Sequence, residues 1–92
     1  MPLSFKPDRA VYDPSQGMMR FFATDGVLLV KCGISKSALT VLDDGSFRGG
    51  GVLERIYERN RDRIQQVADR KHRRRQREKD GTIIVHSRDL MR

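Results

Sequence analysis

The sequence contains a single cysteine, Cys32, and no tryptophan among its 92 residues. One thiol excludes an intramolecular disulfide and is typical of a protein of the reducing cytoplasm. The longest apolar run, Val27 to Val30, is far shorter than the roughly 20 residues that a membrane-spanning helix needs. Residues 1–10 have neither the apolar segment nor the cleavage site of a secretory signal. We therefore expect a soluble, cytoplasmic chain with no membrane partner.

Groups that carry catalysis or bind metals are also scarce. His72 and His86 are distant from each other and from Cys32 in the sequence, and this spacing does not match a metal site. Ser35 has no base at a recognisable spacing. The glycines at 49–51 are not followed by the Lys-Ser/Thr pair of a phosphate loop. We expect no enzymatic activity, no cofactor and no metal.

The charge is unevenly distributed along the chain, whose formal net charge is +7. Residues 1–51 hold six Lys or Arg against five Asp or Glu, whereas residues 52–81 hold eleven against six. A local basic surface favours nucleic acid, anionic lipid or an acidic protein as a partner, and it is equally typical of a solvated surface without one.

Residues 52–80 contain no proline or glycine, and Gly81 follows them as a predicted C′ residue of a long helix. An apolar stripe runs along the first five turns of this helix, with Asn60 in its middle. The stripe consists of Leu53, Ile56, Tyr57, Ile64, Val67 and Ala68. The pattern predicts an amphipathic helix that packs on a sheet.

Beyond Ala68 the angles of this stripe are occupied by Lys71, Arg74 and Arg75, so residues 70–80 are predicted to be a basic helical extension. A continuous helix would be roughly 43 Å long, whereas a compact chain of this length has a diameter of about 30 Å. The basic end must therefore project, break from the helix between about Ala68 and Gln76, or be received by a second subunit. We favour a basic end that lies along the sheet edge, with arginine stems covering apolar surface.

Met18–Thr24 and Val27–Cys32 flank Asp25-Gly26, a strong signal for a two-residue hairpin turn. In the register that this turn implies, one face of the hairpin is wholly apolar and belongs to the core. That face comprises Met19, Phe21, Ala23, Leu28, Val30 and Cys32. Cys32 is therefore interpreted as a buried structural thiol, opposite Met19.

The N-terminal residues 1–10 are predicted to be extended, as an edge strand or an arm across the sheet. Leu3 and Phe5 are the large apolar residues of this segment. We expect them to cover Phe22 and Leu29, which lie on the second face of the hairpin.

Shorter elements complete the prediction. Ser35 is a suitable N-cap for a short helix, and residues 43–51 read as a loop. Thr82–His86 is rich in β-branched residues and is predicted to add a last strand, with Leu90 as a docking point in the tail. Residues 1–92 then form one α+β domain. Its small antiparallel sheet, made of the central hairpin and the C-terminal strand, is packed by one long amphipathic helix and one short helix.

Short motifs that extend over nearly the whole chain follow a recognisable order. They are Phe5, Tyr12, Phe21, Gly26, Cys32-Gly33-Ile34-Ser35 leading into Ala38-Leu39, Ile64 with Ala68, and Gly81 with a closing strand and Asp89-Leu90. In this order they resemble the pattern of a small bacterial family classed only as a domain of unknown function. The resemblance implies an α+β domain with an antiparallel sheet packed by a helix. It implies no activity, ligand or catalytic residue, and the arginine-dense run is not part of the pattern.

The basic run leads to a functional hypothesis. Its cations surround the helix, which suits contact with phosphates better than reading of base edges, and no aromatic residue lies among them for stacking on bases. We predict a non-catalytic binding module that contacts nucleic-acid phosphates without sequence specificity. The predicted contact residues are Arg70, Lys71, Arg73, Arg74, Arg75, Arg77 and Lys79.

A homodimer or another protein-interaction module is the alternative. Asn60 resembles a polar residue that sets the register between helices, and the acidic and basic stripes that flank the apolar one are able to pair with an antiparallel copy. Asn60 is equally well interpreted as a solvated residue at the edge of the core.

Overall fold

The computed structural model describes residues 3–5, 10–43 and 52–90, which form five strands and four helices. In chain order these are β1 (Ser4–Phe5), β2 (Val11–Asp13), β3 (Met18–Asp25), β4 (Leu28–Ser35), α1 (Lys36–Leu42), α2 (Val52–Arg59), α3 (Arg61–Arg73), β5 (Ile83–Val85) and α4 (Ser87–Leu90). The predicted α+β class is confirmed. Most of the predicted loop over residues 43–51 lies outside the described residues.

The sheet has the strand order β1-β3-β4-β5, and β2 also pairs with β3. All of these pairs are antiparallel except β4 with β5, which is parallel. The prediction of an antiparallel sheet is therefore right for the hairpin and wrong for the C-terminal strand. The reason is that the helices α1 to α3 lie between β4 and β5, and a helical crossover of this kind brings the chain back in the parallel orientation.

The hairpin of β3 and β4 keeps its predicted apolar face but not its predicted register. Asp25 pairs with Leu28, so the two loop residues are Gly26 and Val27. Gly26 has a φ of 66°, a left-handed conformation that glycine adopts without strain at the first central position of a hairpin turn. The register moves by two residues along the partner strand. Because side chains alternate with a period of two, each residue still points to its predicted side. The prediction that Leu28 belongs to the core is wrong, because this residue lies beside the turn and is 68% exposed.

The core lies between the inner face of this sheet and the helices. Its buried residues on the strands are Met19, Phe21, Ala23, Cys32, Ile34, Ile83 and Val85, and those on the long helices are Ile56, Tyr57, Ile64, Val67 and Ala68. Cys32 pairs with Phe21 and not with Met19. Burial raises the pKa of its thiol to about 12, which keeps the group protonated at neutral pH and fits the interpretation as a structural thiol.

Ser35 caps α1 as predicted, because its Oγ accepts a hydrogen bond of 3.1 Å from the backbone N–H of Ala38. The expected cover over Phe22 and Leu29 is wrong. Phe5 pairs with Ala23 and its ring lies 6.1 Å from that of Phe21, so it packs on the inner side of the sheet. Phe22 and Leu29 stay 37% and 56% exposed.

The predicted helix over residues 52–80 is two helices, and it ends seven residues early. The first change is at Asn60, which has φ −108° and ψ 16° and separates α2 from α3. Its side-chain Nδ2 donates to the carbonyl of Ile56 at 2.9 Å, an alternative to regular helical hydrogen bonding that favours a bend. This bond pairs one of the two N–H donors of the Asn60 amide within the chain, and the interpretation of Asn60 as a register residue of a homodimer stays a prediction.

The second change is at Arg75, which has a φ of 58° and ends the helix. The N–H of Arg75 donates to the carbonyl of His72, and the N–H of Gln76 donates to that of Lys71. These two bonds form a Schellman motif with Arg75 at C′. The prediction that Gly81 is the C′ residue is therefore wrong, and only residues 70–73 of the predicted basic extension are helical. Gly81, with a φ of 89°, lies instead in the turn before β5.

Changing Arg75 to Gly is expected to stabilise the fold by roughly 0.5–1 kcal/mol, because glycine relieves the left-handed strain at a smaller cost in unfolded-state entropy. Arg74→Gly is the matched control. Arg74 has φ −92° and carries no such strain, so glycine there is expected to destabilise by a similar amount. Urea unfolding of both variants measures the difference, and a shift of the same sign in both contradicts the assignment of strain to Arg75.

A candidate anion-binding cleft

The last turns of α3 lie beside the short helix α4, and a polar cleft of about 250 Å³ separates them. The side chains that line it are those of Arg70, Lys71, Arg74, Gln76, Arg88 and Asp89. Four cations and one carboxylate give this cleft a formal charge of +3. It is the place in the described residues where the predicted basic run and the C-terminal tail meet.

Lys71 is buried at the cleft, with only 7% of its surface exposed. Its Nζ donates to the carbonyl oxygen of Ile84 at 2.7 Å and to Oδ2 of Asp89 at 2.8 Å. The first bond satisfies a backbone group of β5, the strand at the end of the sheet order, as edge strands require. The second neutralises the ammonium. An ammonium has three donors, so one hydrogen of Lys71 remains beyond these two acceptors.

Asp89 connects this lysine to the start of α4. Its Oδ2 also accepts a hydrogen bond of 2.8 Å from the backbone N–H of His86. Burial alone would raise the pKa of Asp89, but the hydrogen bonds from Lys71 and from His86 together outweigh it and hold the pKa below its ordinary value. The carboxylate is therefore ionised at neutral pH and forms a charged pair with Lys71.

Other cations of α3 hold the carbonyl groups of α4. An Nη2 donor of Arg63 lies 2.8 Å from the carbonyl of Leu90, and Nη2 of Arg70 lies 3.4 Å from that of Asp89. Cationic side chains are favourable at such carbonyl ends. Leu90 itself is buried, so the predicted docking point is confirmed. Part of the basic stripe of α3 thus has a structural role.

The structure does not bring the seven predicted contact residues to one place. Arg70, Lys71 and Arg74 line the cleft. Arg73 forms an ion pair of 3.2 Å with Asp69, one turn earlier on the helix. The other three residues follow the helix end and are exposed; they are Arg75, Arg77 and Lys79.

Two of those exposed cations lie away from the cleft. Arg77 lines a neighbouring cleft with Asp25 and His72, and Lys79 lines another with Arg20. Arg88 completes the candidate site and was missed by the sequence reasoning. Its only sequence signal is its position beside the docking residues Asp89-Leu90, because nothing in the pattern shows which part of α3 it faces.

His72 is buried and connects the end of α3 to the hairpin turn. Its Nε2 lies 2.9 Å from Oδ2 of Asp25, where it donates to the carboxylate. Its Nδ1 is buried and has no hydrogen-bond partner among the described residues. Within residues 3–5, 10–43 and 52–90, no group of three or more His, Cys, Asp or Glu side chains is arranged to hold a metal ion. None of the helices in the same ranges has the length and apolarity to cross a bilayer.

Comparison with known proteins places these features in a family context. A family model described as "Protein of unknown function (DUF1488)" matches residues 3–85. The crystal structure of a protein of unknown function from the DUF1488 family of Shewanella loihica is similar, with a TM-score of 0.80, 18% identity and 91% of each chain covered. No curated protein matches the sequence. At this identity the likeness to the solved structure shows a shared fold, and the family match ends just before Arg88 and Asp89.

Proposed function

Because the chain belongs to the DUF1488 family, whose description carries no function, we propose a function from its own cleft. The chain is a non-catalytic binding module that contacts nucleic-acid phosphates through Arg70, Arg74 and Arg88. The observation that supports this proposal is the concentration of a formal charge of +3 in one cleft between α3 and α4.

The arginines of the cleft are well suited to phosphate. A guanidinium presents a planar fork of donors that matches two oxygens of a phosphate and stays charged at all relevant pH values. The end of α3 does not oppose an anion strongly, because the carbonyls of Arg70, Lys71 and His72 accept hydrogen bonds from the backbone N–H groups of residues 74–76. Arg75 follows Arg74 in the chain, is exposed, and adds one cation to the three arginines of the cleft.

The proposal implies binding that is strongly salt-dependent and weakly specific for sequence. The described residues that line the cleft include no aromatic side chain for stacking on bases. The cations of the cleft lie at the ends of helices. They do not form one stripe along a helix that could enter a groove of duplex DNA. Phosphate contacts of this type position a protein on nucleic acid but carry no sequence information.

Binding of a labelled duplex DNA, followed by fluorescence anisotropy across a salt series, tests the proposal. The four cations Arg70, Arg74, Arg75 and Arg88 neutralise at most four phosphates, which sets the steepest expected slope in log K against log salt concentration at roughly −3.5. The double variant Arg74→Glu/Arg88→Glu is expected to bind roughly a hundredfold more weakly, since each charge-assisted hydrogen bond contributes about 1.5 kcal/mol or more.

A control of equal charge change is available at Lys31 on β4 and Arg55 on α2, which are both exposed; Lys31 lines a different cleft. Lys31→Glu/Arg55→Glu is expected to change the affinity less than about threefold at 0.1 M salt, because salt screens charges that do not line the binding cleft. Absence of binding at 50 mM salt overturns the proposal. Equal losses in the two double variants contradict the role of the cleft.

A further inference from the structure

We propose that the cleft takes a phosphate monoester, the terminal phosphate of a nucleic-acid strand, in preference to the internal phosphodiesters. This inference rests on the proposed function and names the part of the ligand that the cleft recognises. It is carried by the shape of the cleft, by the distribution of charge around it and by the position of Lys71.

The cationic side chains come from two separate helices. Arg70 lies in the last turn of α3, and Arg74 is the C-cap whose backbone N–H donates to the Arg70 carbonyl, which places the two residues one above the other at the helix end. Arg88 belongs to α4. The three guanidinium groups therefore line a concave space and do not form a flat row. The convex sugar-phosphate backbone of a nucleic acid is able to lie across a flat row of cations. The end of a strand, in contrast, is able to enter a cleft.

The volume of the cleft fits a group smaller than a nucleotide. At about 250 Å³ it is below the roughly 300–1,000 Å³ of sites that enclose a drug-sized ligand. A single phosphate group and a few waters fill such a space. The sugar and base of the terminal nucleotide then remain outside the cleft, so the cleft does not distinguish one base from another.

The charges also match a monoester better than a diester. Among the described residues that line the cleft, Asp89 is the one carboxylate, and its Oδ2 is held by Lys71. These residues therefore include no further carboxylate that compensates the three arginines. A monoester carries a charge of about −1.5 to −2 at pH 7 and three terminal oxygens, whereas an internal phosphate carries a single charge. A monoester thus offers one terminal oxygen for each of the three guanidinium groups, and Lys71, which has one donor beyond its two acceptors, also lines the cleft.

A pair of 12-nucleotide single strands of the same sequence, one with a 5′-phosphate and one with a 5′-hydroxyl, tests the proposal by anisotropy at 0.1 M salt. The phosphorylated strand is expected to bind about tenfold more tightly at pH 7.5, the equivalent of one charge-assisted hydrogen bond. This ratio is expected to fall towards one at pH 5, because the second pKa of a monoester is about 6.

Variants localise the effect. Arg74→Ala/Arg88→Ala is expected to abolish the preference for the phosphorylated strand, whereas Lys31→Ala/Arg55→Ala is expected to keep it. All four residues lie at the surface, so the fold is retained, which circular dichroism checks. Adenosine 5′-monophosphate is expected to compete at least a hundredfold more weakly than the phosphorylated strand, because it lacks neighbouring phosphates.

The outcomes separate this proposal from the function on which it rests. Equal affinity for the two strands, with both weakened by the cleft variant, overturns terminal recognition and leaves phosphate binding in place. A preference that survives in Arg74→Ala/Arg88→Ala assigns terminal recognition to another surface and overturns the proposal. Competition by the free nucleotide at the concentration of the strand overturns the strand end as the ligand. Absence of binding by both strands and by duplex DNA removes the proposed function itself.

Discussion

Replacing Lys71 with methionine is expected to lower the free energy of unfolding by about 3 kcal/mol, although the change removes a charge from a strongly basic chain. The methionine keeps the apolar stem of the lysine and removes the donor. Asp89 then keeps a largely buried charge without its partner, and the carbonyl of Ile84 loses a hydrogen bond of 2.7 Å. Breaking a buried ion pair from one side typically destabilises by about 3–5 kcal/mol. We expect the low end, because the Asp89 side chain is still 19% exposed and is able to recruit water.

Urea unfolding at pH 7 measures this effect, and Lys79→Met is the matched control. Lys79 is exposed and lies in the same basic run, so its replacement is expected to change the free energy of unfolding by less than about 0.5 kcal/mol. The double variant Lys71→Met/Asp89→Asn is expected to recover more than half of the loss, because asparagine removes the unpaired charge and keeps an acceptor for the N–H of His86. A Lys71→Met protein as stable as Lys79→Met contradicts the structural role of Lys71.

The same ion pair predicts a dependence of stability on pH. The pKa of Asp89 is lowered in the folded protein from a reference of 3.8. A lowered carboxyl pKa contributes stability that is fully present above the unfolded value and is lost as the pH falls through the folded value. The difference in unfolding free energy between the wild type and Lys71→Met/Asp89→Asn should therefore be constant from pH 7 to about pH 5 and shrink below about pH 4.

Lys71 also illustrates what sequence reasoning is able to reach. It lies seven residues after Ile64, on the angles of the apolar stripe, so its burial follows from helical periodicity. Its partner does not. Asp89 is 18 residues further along the chain, and their contact depends on the path of residues 74–82, which no periodic pattern describes. For the same reason, Arg74 and Lys71 look alike in the sequence although one is exposed and the other is buried.

The alternation of apolar and polar residues predicted which side chains of the hairpin face the core, but it did not predict the other features of the sheet. The apolar face of β3 and β4 survived a register error of two residues, because only an odd shift exchanges the faces. The turn itself was misplaced by one residue, since Asp25-Gly26 and Gly26-Val27 both offer a glycine for a positive φ. The position of β1 was not predictable, because the alternation of two residues does not show which side of the sheet Phe5 joins.

Tertiary contacts decide where α3 ends, and the sequence does not show them. Glycine is the usual C′ residue, and the chain offers Gly81, yet the helix ends at a strained Arg75. The strain is compensated elsewhere: ending there allows Lys71 to reach β5 and allows Thr82 to accept a hydrogen bond from the N–H of Glu78. Tertiary contacts of this kind override local propensity. They also decide where Arg88 lies, and so they define the candidate site.

Changing Ile64 to Ala is expected to lower the free energy of unfolding by about 3–4 kcal/mol, and thus the melting temperature by roughly 12 °C or more. Ile64 is fully buried in α3, one turn after the bend at Asn60. The bend at Asn60 allows both α2 and α3 to pack on the same sheet. The cavity left by three missing carbon atoms therefore opens between α3 and the strands, where a close-packed backbone is unable to collapse into it.

Graded and matched variants separate this packing effect from helix propensity. Ile64→Val is expected to lower the free energy of unfolding by about 1 kcal/mol, which is less than the loss in Ile64→Ala. Helix propensity alone predicts the opposite order, because valine is a poorer helix former than alanine. Val27→Ala removes apolar atoms at a position that is 97% exposed and is expected to change the free energy by less than about 0.5 kcal/mol. If Ile64→Ala is destabilising by no more than Val27→Ala, the apolar stripe of α3 is not part of the core and the packing of the two helices on the sheet is wrong.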